Sequence, residues 1–248
     1  MGSLTGQHAR WQGMTMRLFG LVLSAGLLAA SAHAQNANGI PPDLSRCAGK
    51  VGTEIRQADP AFVTVALNGR PWMTIERTDE AVGSQRISTT VTGIGWRRRR
   101  DGTAVSFRFT CLLDAQGQAM MFHATTLLHG LGDQLPPSII VEGAASYLEK
   151  MPLPRGVELQ VQLLDVSKLP AGEVLAEQVV RSGWQVPIPF ALLLPKQTPL
   201  EGRKLVITAR FVLDRRPLFQ LQEQRVLTAA DLRKFIVLSL DRVGDVPR

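Results

Sequence analysis

The chain has 248 residues, with 28 Lys and Arg against 21 Asp and Glu, a formal net charge of +7, and only 6% aromatic residues. That length can bury one large core or two modest ones, while the mild charge, spread over both halves, leaves no footprint for a nucleic-acid partner. With 2 cysteines and 4 histidines, and no GxSxG, HExxH or phosphate-loop motif, the sequence points to no enzyme, no metal site and no cofactor.

In chain order, Arg17 precedes an apolar run over residues 18–30, followed by Ala32-His33-Ala34 and Gln35. A short apolar run with a small-residue exit is a secretory signal peptide, so residues 1–34 are expected to be removed and the mature chain to lie in the periplasm or to be secreted. No later stretch has membrane-spanning length. A Cys at the first mature position would carry a lipid, and Gln35 stands there instead.

Residues 35–130 are expected to form an N-terminal β domain. Residues 44–57 carry a weak helical pattern. Residues 62–67 and 72–76, joined across Asn68-Gly69, are read as a hairpin. Residues 86–96 lead through Asp101-Gly102 into a strand whose Val105, Phe107, Phe109, Cys111 and Leu113 share one face, and a turn ending at Gly117 adds a third strand over 118–125. The domain is thus a disulfide-stapled antiparallel meander. Cys47 and Cys111, in an exported chain, are expected to pair.

The run Arg97-Arg98-Arg99-Arg100 falls at the tip of that hairpin. Such a run suits a solvated loop. It also suits weak contact with an anionic membrane surface, with lipopolysaccharide phosphates or with an acidic partner, because guanidinium forks match those groups. His123 and His129, the histidines left after cleavage, read as ordinary strand and loop residues.

Residues 131–138, with Pro136 and Pro137, read as a linker, and residues 139–248 as a second β domain. Strands are expected at 139–148, 157–166, 174–180, 188–194, 204–213, 218–226 and 235–240, a seven-stranded immunoglobulin-like or prealbumin-like sandwich. The fold class is therefore all-β, in two domains. In the second of these strands Val157, Leu159, Val161 and Leu163 alternate with Glu158, Gln160 and Gln162, the period of a strand with one buried face. Trp184 and Phe190, around the Pro-rich start of the fourth, are candidate partner contacts. Trp184 also suits a cap on the sandwich.

The alternating strand, the Leu163-Leu164-Asp165-Val166-Ser167 end, the Ala176-Glu177-Gln178 step and Gln185-Val186-Pro187-Ile188-Pro189-Phe190 together resemble the YbaY/YscW family of small lipoproteins over about residues 143–227. The YscW branch of that family is the type III secretion lipoprotein chaperone. The resemblance implies a non-catalytic, exported envelope protein that binds an envelope partner through a groove or a strand edge. A glycan is the alternative partner.

Overall fold

The computed structural model describes residues 39–127, 135–149, 151–167, 172–182 and 185–244. The expected signal peptide with Gln35, His129 and Trp184 lie outside them, as does the first half of the expected linker.

One helix, α1 (Pro42–Ala58), opens the fold. Proline occupies its first turn, where a missing N–H costs nothing, and Leu44, Cys47, Ala48, Val51 and Ile55 form a buried stripe at helical spacing. Thirteen strands follow. They are β1 (Phe62–Asn68), β2 (Thr74–Val82), β3 (Gln85–Arg99), β4 (Ala104–Leu113), β5 (Ala119–Thr126), β6 (Ser138–Tyr147) and β7 (Glu158–Asp165). The series continues with β8 (Glu173–Ser182), β9 (Ile188–Pro195), β10 (Leu205–Leu213), β11 (Arg216–Gln220), β12 (Arg225–Leu227) and β13 (Ile236–Arg242). Among the described residues the fold is all-β apart from α1 and a 3-10 turn at Asp231–Arg233.

The strands form one hydrogen-bonded path, β5-β4-β3-β1-β8-β7-β10-β11-β13-β6-β9, with β2 beside β3 and β12 beside β10. The path folds over at β11 and β13, so that β13, β6 and β9 lie across β8, β7 and β10. Between these layers sits the larger core, which includes Leu159, Val161 and Leu163 of β7, Phe190 and Leu192 of β9, Ile207 and Phe211 of β10, and Leu238 and Leu240 of β13. A second core lies on the opposite face of β1, β3 and β4, under α1. The Cys47–Cys111 disulfide fastens α1 to β4 there, as the sequence led us to expect.

Three local expectations change. First, β1 and β2 do not pair as a hairpin. Both lie against the 15-residue β3, β1 along its second half and β2 along its first. The turn between them is held to β8 instead, because Glu177 accepts hydrogen bonds from Arg70 N, Nε and Nη2 and from Gln162 Nε2. Second, the two expected domains share one sheet: β1 pairs with β8 over five residue pairs, and Asn38–Arg248 is one compact unit. Third, Glu158, Gln160 and Gln162 are 4%, 8% and 8% exposed. The face of β7 that alternation assigns to solvent is shielded, with Ser45 of α1 accepting from Gln160 and Arg181 paired with Glu158 at 3.1 Å.

Candidate binding surfaces

The arginine run belongs mostly to a strand. Arg97, Arg98 and Arg99 complete β3, and only Arg100 enters the turn, which closes through Gly102 at φ +91 and the Asp101 carboxylate accepting from Thr103 N. Those hydrogen bonds from Thr103 hold the Asp101 carboxyl below its ordinary range. Along β3 the side chains alternate. Arg97 and Arg99 stack on the Phe62 ring at 4.4 and 4.8 Å, and Arg99 pairs with Asp59 at 2.9 Å. Arg98 lies over Trp96 on the other face. Ring contacts of this kind hold guanidinium groups side by side that would otherwise repel.

Beside them, at the start of β7 and the end of β8, a cleft of about 270 Å³ is lined by Arg56, Arg155, Ser182, Leu153, Pro154, Gly156 and Val157. Nothing in the local sequence marks it, because its arginines come from α1 and from the loop before β7.

Phe190 is 2% exposed and belongs to the sandwich core. Its ring occupies the space that a Cβ on Gly143 would need, so it has no surface to offer a partner. The outer edge of its strand is closed as well. Gln178, fully buried, donates to Ala191 O at 2.8 Å and accepts from Ala191 N at 3.1 Å, while the Trp72 indole donates to Leu193 O at 2.7 Å. These side chains take the backbone groups that an added strand would need.

Apolar exposure lies elsewhere. On the outer face of β6 and β13, Ile140, Phe235 and Val237 are 48%, 62% and 62% exposed. They share this face because Val141 and Ala145 of β6, and Ile236 and Leu238 of β13, point into the core, and the parallel register places Val237 beside Ala144. Sequence reading missed this patch, since alternating apolar residues on both faces of β13 look like any buried strand. Among the described residues no helix is long and apolar enough to cross a membrane.

Comparison with known proteins places the C-terminal part. Residues 136–238 match the family of the type III secretion system lipoprotein chaperone (YscW), in agreement with the resemblance read from sequence. Among solved structures, an alternative pilotin from the type II secretion system of Vibrio cholerae aligns over 42% of this chain and 96% of its own, at 25% identity and a TM-score of 0.39. No curated protein matches the chain.

Proposed function

We propose that the protein is a non-catalytic, chaperone-like binding module of the bacterial periplasm that holds an apolar segment of an envelope secretion protein on the outer face of β6 and β13. The observation that carries this reading is the YscW match, which spans β6 through the first three residues of β13 and so contains the exposed Ile140, Phe235 and Val237. Exposed apolar side chains gathered on one sheet face are what a protein keeps for a partner. The closed edge of β9 favours docking on a face over strand addition. Arg225 and Arg233 are exposed beside the patch, while Lys234 pairs with Asp231 at 3.0 Å and Glu142 is exposed on the same face, so the rim carries both signs of charge. The Cys47–Cys111 bridge suits an oxidising compartment. Phe235 is the one exposed aromatic ring among the described residues, a poor platform for stacking sugars, and this favours protein over glycan.

A photo-crosslinking residue placed at Phe235, with an exposed control at Glu201, tests the reading in intact envelopes. We expect an adduct with a secretion-apparatus component from position 235 only, lost when Ile140→Asp is added. Equal adducts from both positions, or an adduct indifferent to Ile140→Asp, would remove the proposed face.

A further inference from the structure

Four strands and a turn bring distant arginines to one end of the sheet. The register pairs Phe62 with Arg99, Thr64 with Ser182, Arg181 with Glu158 and Glu158 with Val212. The ends of β3 and β8, the starts of β1 and β7, and the β10–β11 turn with Arg215 and Arg216 therefore line up. At about 4.8 Å per strand, the row from β3 to β10 is about 19 Å wide. Arg56, at the end of α1, and Arg155, in the cleft, join it. Two acids are already used there, Asp59 by Arg99 and Glu158 by Arg181. Asp101, Glu149 and Asp214 are the other acids nearby. Among the described residues no carboxylate lies within ion-pair distance of Arg56, Arg98, Arg100 or Arg215.

The same end exposes apolar side chains. Tyr147, the last residue of β6, packs against Phe211 and Phe219, and Phe211 pairs with Leu159 at the start of β7. The loop after β6 thus emerges beside the arginines, and in it Leu148 is 84% exposed and Met151 42%. A leucine and a methionine held out among arginines gain nothing from a nucleic-acid backbone. They gain free energy at a lipid interface, where apolar side chains enter the headgroup boundary and guanidinium groups donate to phosphates.

We propose that this end of the molecule docks on an anionic phospholipid surface, with Leu148 and Met151 entering the interface and the arginine row meeting headgroup phosphates. The surface is separate from the proposed partner face, because Ile140 and Leu148 stand at opposite ends of β6, about 26 Å apart at 3.3 Å per residue. Failure of either reading leaves the other standing.

Sedimentation with phosphatidylglycerol–phosphatidylcholine vesicles tests the proposal. The protein is expected to bind these vesicles, not vesicles of phosphatidylcholine alone, and to be released by high salt. At about fivefold per arginine, Arg56→Gln/Arg100→Gln/Arg215→Gln should weaken binding on the order of 100-fold. Leu148→Ser/Met151→Ser should weaken it about tenfold. Every one of these side chains is exposed, so the variants should melt with the parent protein. Lys196→Gln/Lys204→Gln removes two exposed charges away from this end and should bind normally. Equal losses in that control would reduce the effect to net charge and overturn the proposal. So would vesicle binding that ignores the three arginines. Binding of inorganic phosphate or polyglutamate without vesicle binding would overturn it in favour of a soluble anion or an acidic protein.

Discussion

Removing the Arg70 guanidinium tests whether the two halves of the chain fold as one body. Glu177 is 1% exposed as a residue and its side chain is wholly buried. Its carboxylate receives two hydrogen bonds from the Arg70 side chain, each at 2.9 Å, and one from Gln162 at 3.0 Å. Arg70→Met keeps the bulk of the stem but leaves that carboxylate with only neutral donors. Breaking a buried pair from one side costs about 3–5 kcal/mol, because the remaining charge has lost both its solvent and its counter-charge. That is a large fraction of the roughly 5–15 kcal/mol that holds a domain folded. Adding Glu177→Gln removes the stranded charge, so the double variant should recover much of the loss. Urea unfolding followed by far-ultraviolet circular dichroism and by tryptophan fluorescence reads both quantities. Because β1 and β8 are hydrogen-bonded neighbours in a continuous sheet, both probes should shift together in a single transition. A loss below about 1 kcal/mol, against the 3–5 expected of a buried pair, or two separated transitions, would refute the argument that this pair ties one cooperative unit together.

The disulfide closes a chain separation of 64 residues, which in loop-closure entropy is worth roughly 4 kcal/mol. Reduction should lower the urea midpoint accordingly, and an unchanged midpoint would mean that α1 contributes nothing to the unit. Gly143→Ala would press a methyl group onto the Phe190 ring and the Ile236 carbonyl. Overpacking of this sort costs about 1–3 kcal/mol, to be seen as a lower melting temperature, whereas Gly202→Ala in an open turn, at φ +72, meets strain without any such clash. Tyr147 is the one tyrosine of the chain, so the ultraviolet absorbance of phenolate reads it alone. Burial, aided by the charge of Glu149, raises its pKa above the ordinary 10.0. Because the folded state holds the proton longer, this contribution to stability is complete below pH 10 and is lost as pH rises through the raised value. A titration midpoint at or below the ordinary value would contradict the packing of Tyr147 on Phe211 and Phe219.

Strand identity was legible because period-2 alternation and turn dipeptides are local. The expected strand at 204–213 appears as β10 (Leu205–Leu213), and Asp101-Gly102 closes the β3–β4 turn as its composition demands. Partnering was not legible. Asn68-Gly69 advertises a hairpin, but Glu177, more than a hundred residues away, captures Arg70 and leaves β1 to pair with β3 and β8. The solvent face of β7 was misassigned for the same reason, since three polar side chains on one face look exposed until α1 and Arg181 are brought over them. The binding surfaces show the limit most clearly. Four consecutive arginines are visible in any reading, yet the row they head depends on Arg56, Arg155 and Arg215, which only sheet register brings to the same end.

Register also determines what the two surfaces can do together. β6 runs from the apolar face at Ile140 to the loop at Leu148, pinned on one side by the parallel ladder to β13 and on the other by β9. Its inner face is locked into the core by Val141, Ala145 and Tyr147. A strand bound on both edges and one face has no soft coordinate along which to bend, so a partner held at Ile140, Phe235 and Val237 would stand at a fixed height above a membrane contacted at Leu148. With no bistable element between the sites, neither ligand has a second state to select, and coupling between them requires one. Substitutions at the two ends should therefore add independently, and a loss of vesicle binding caused by Phe235→Asp would mean that β6 is less rigid than its ladders imply.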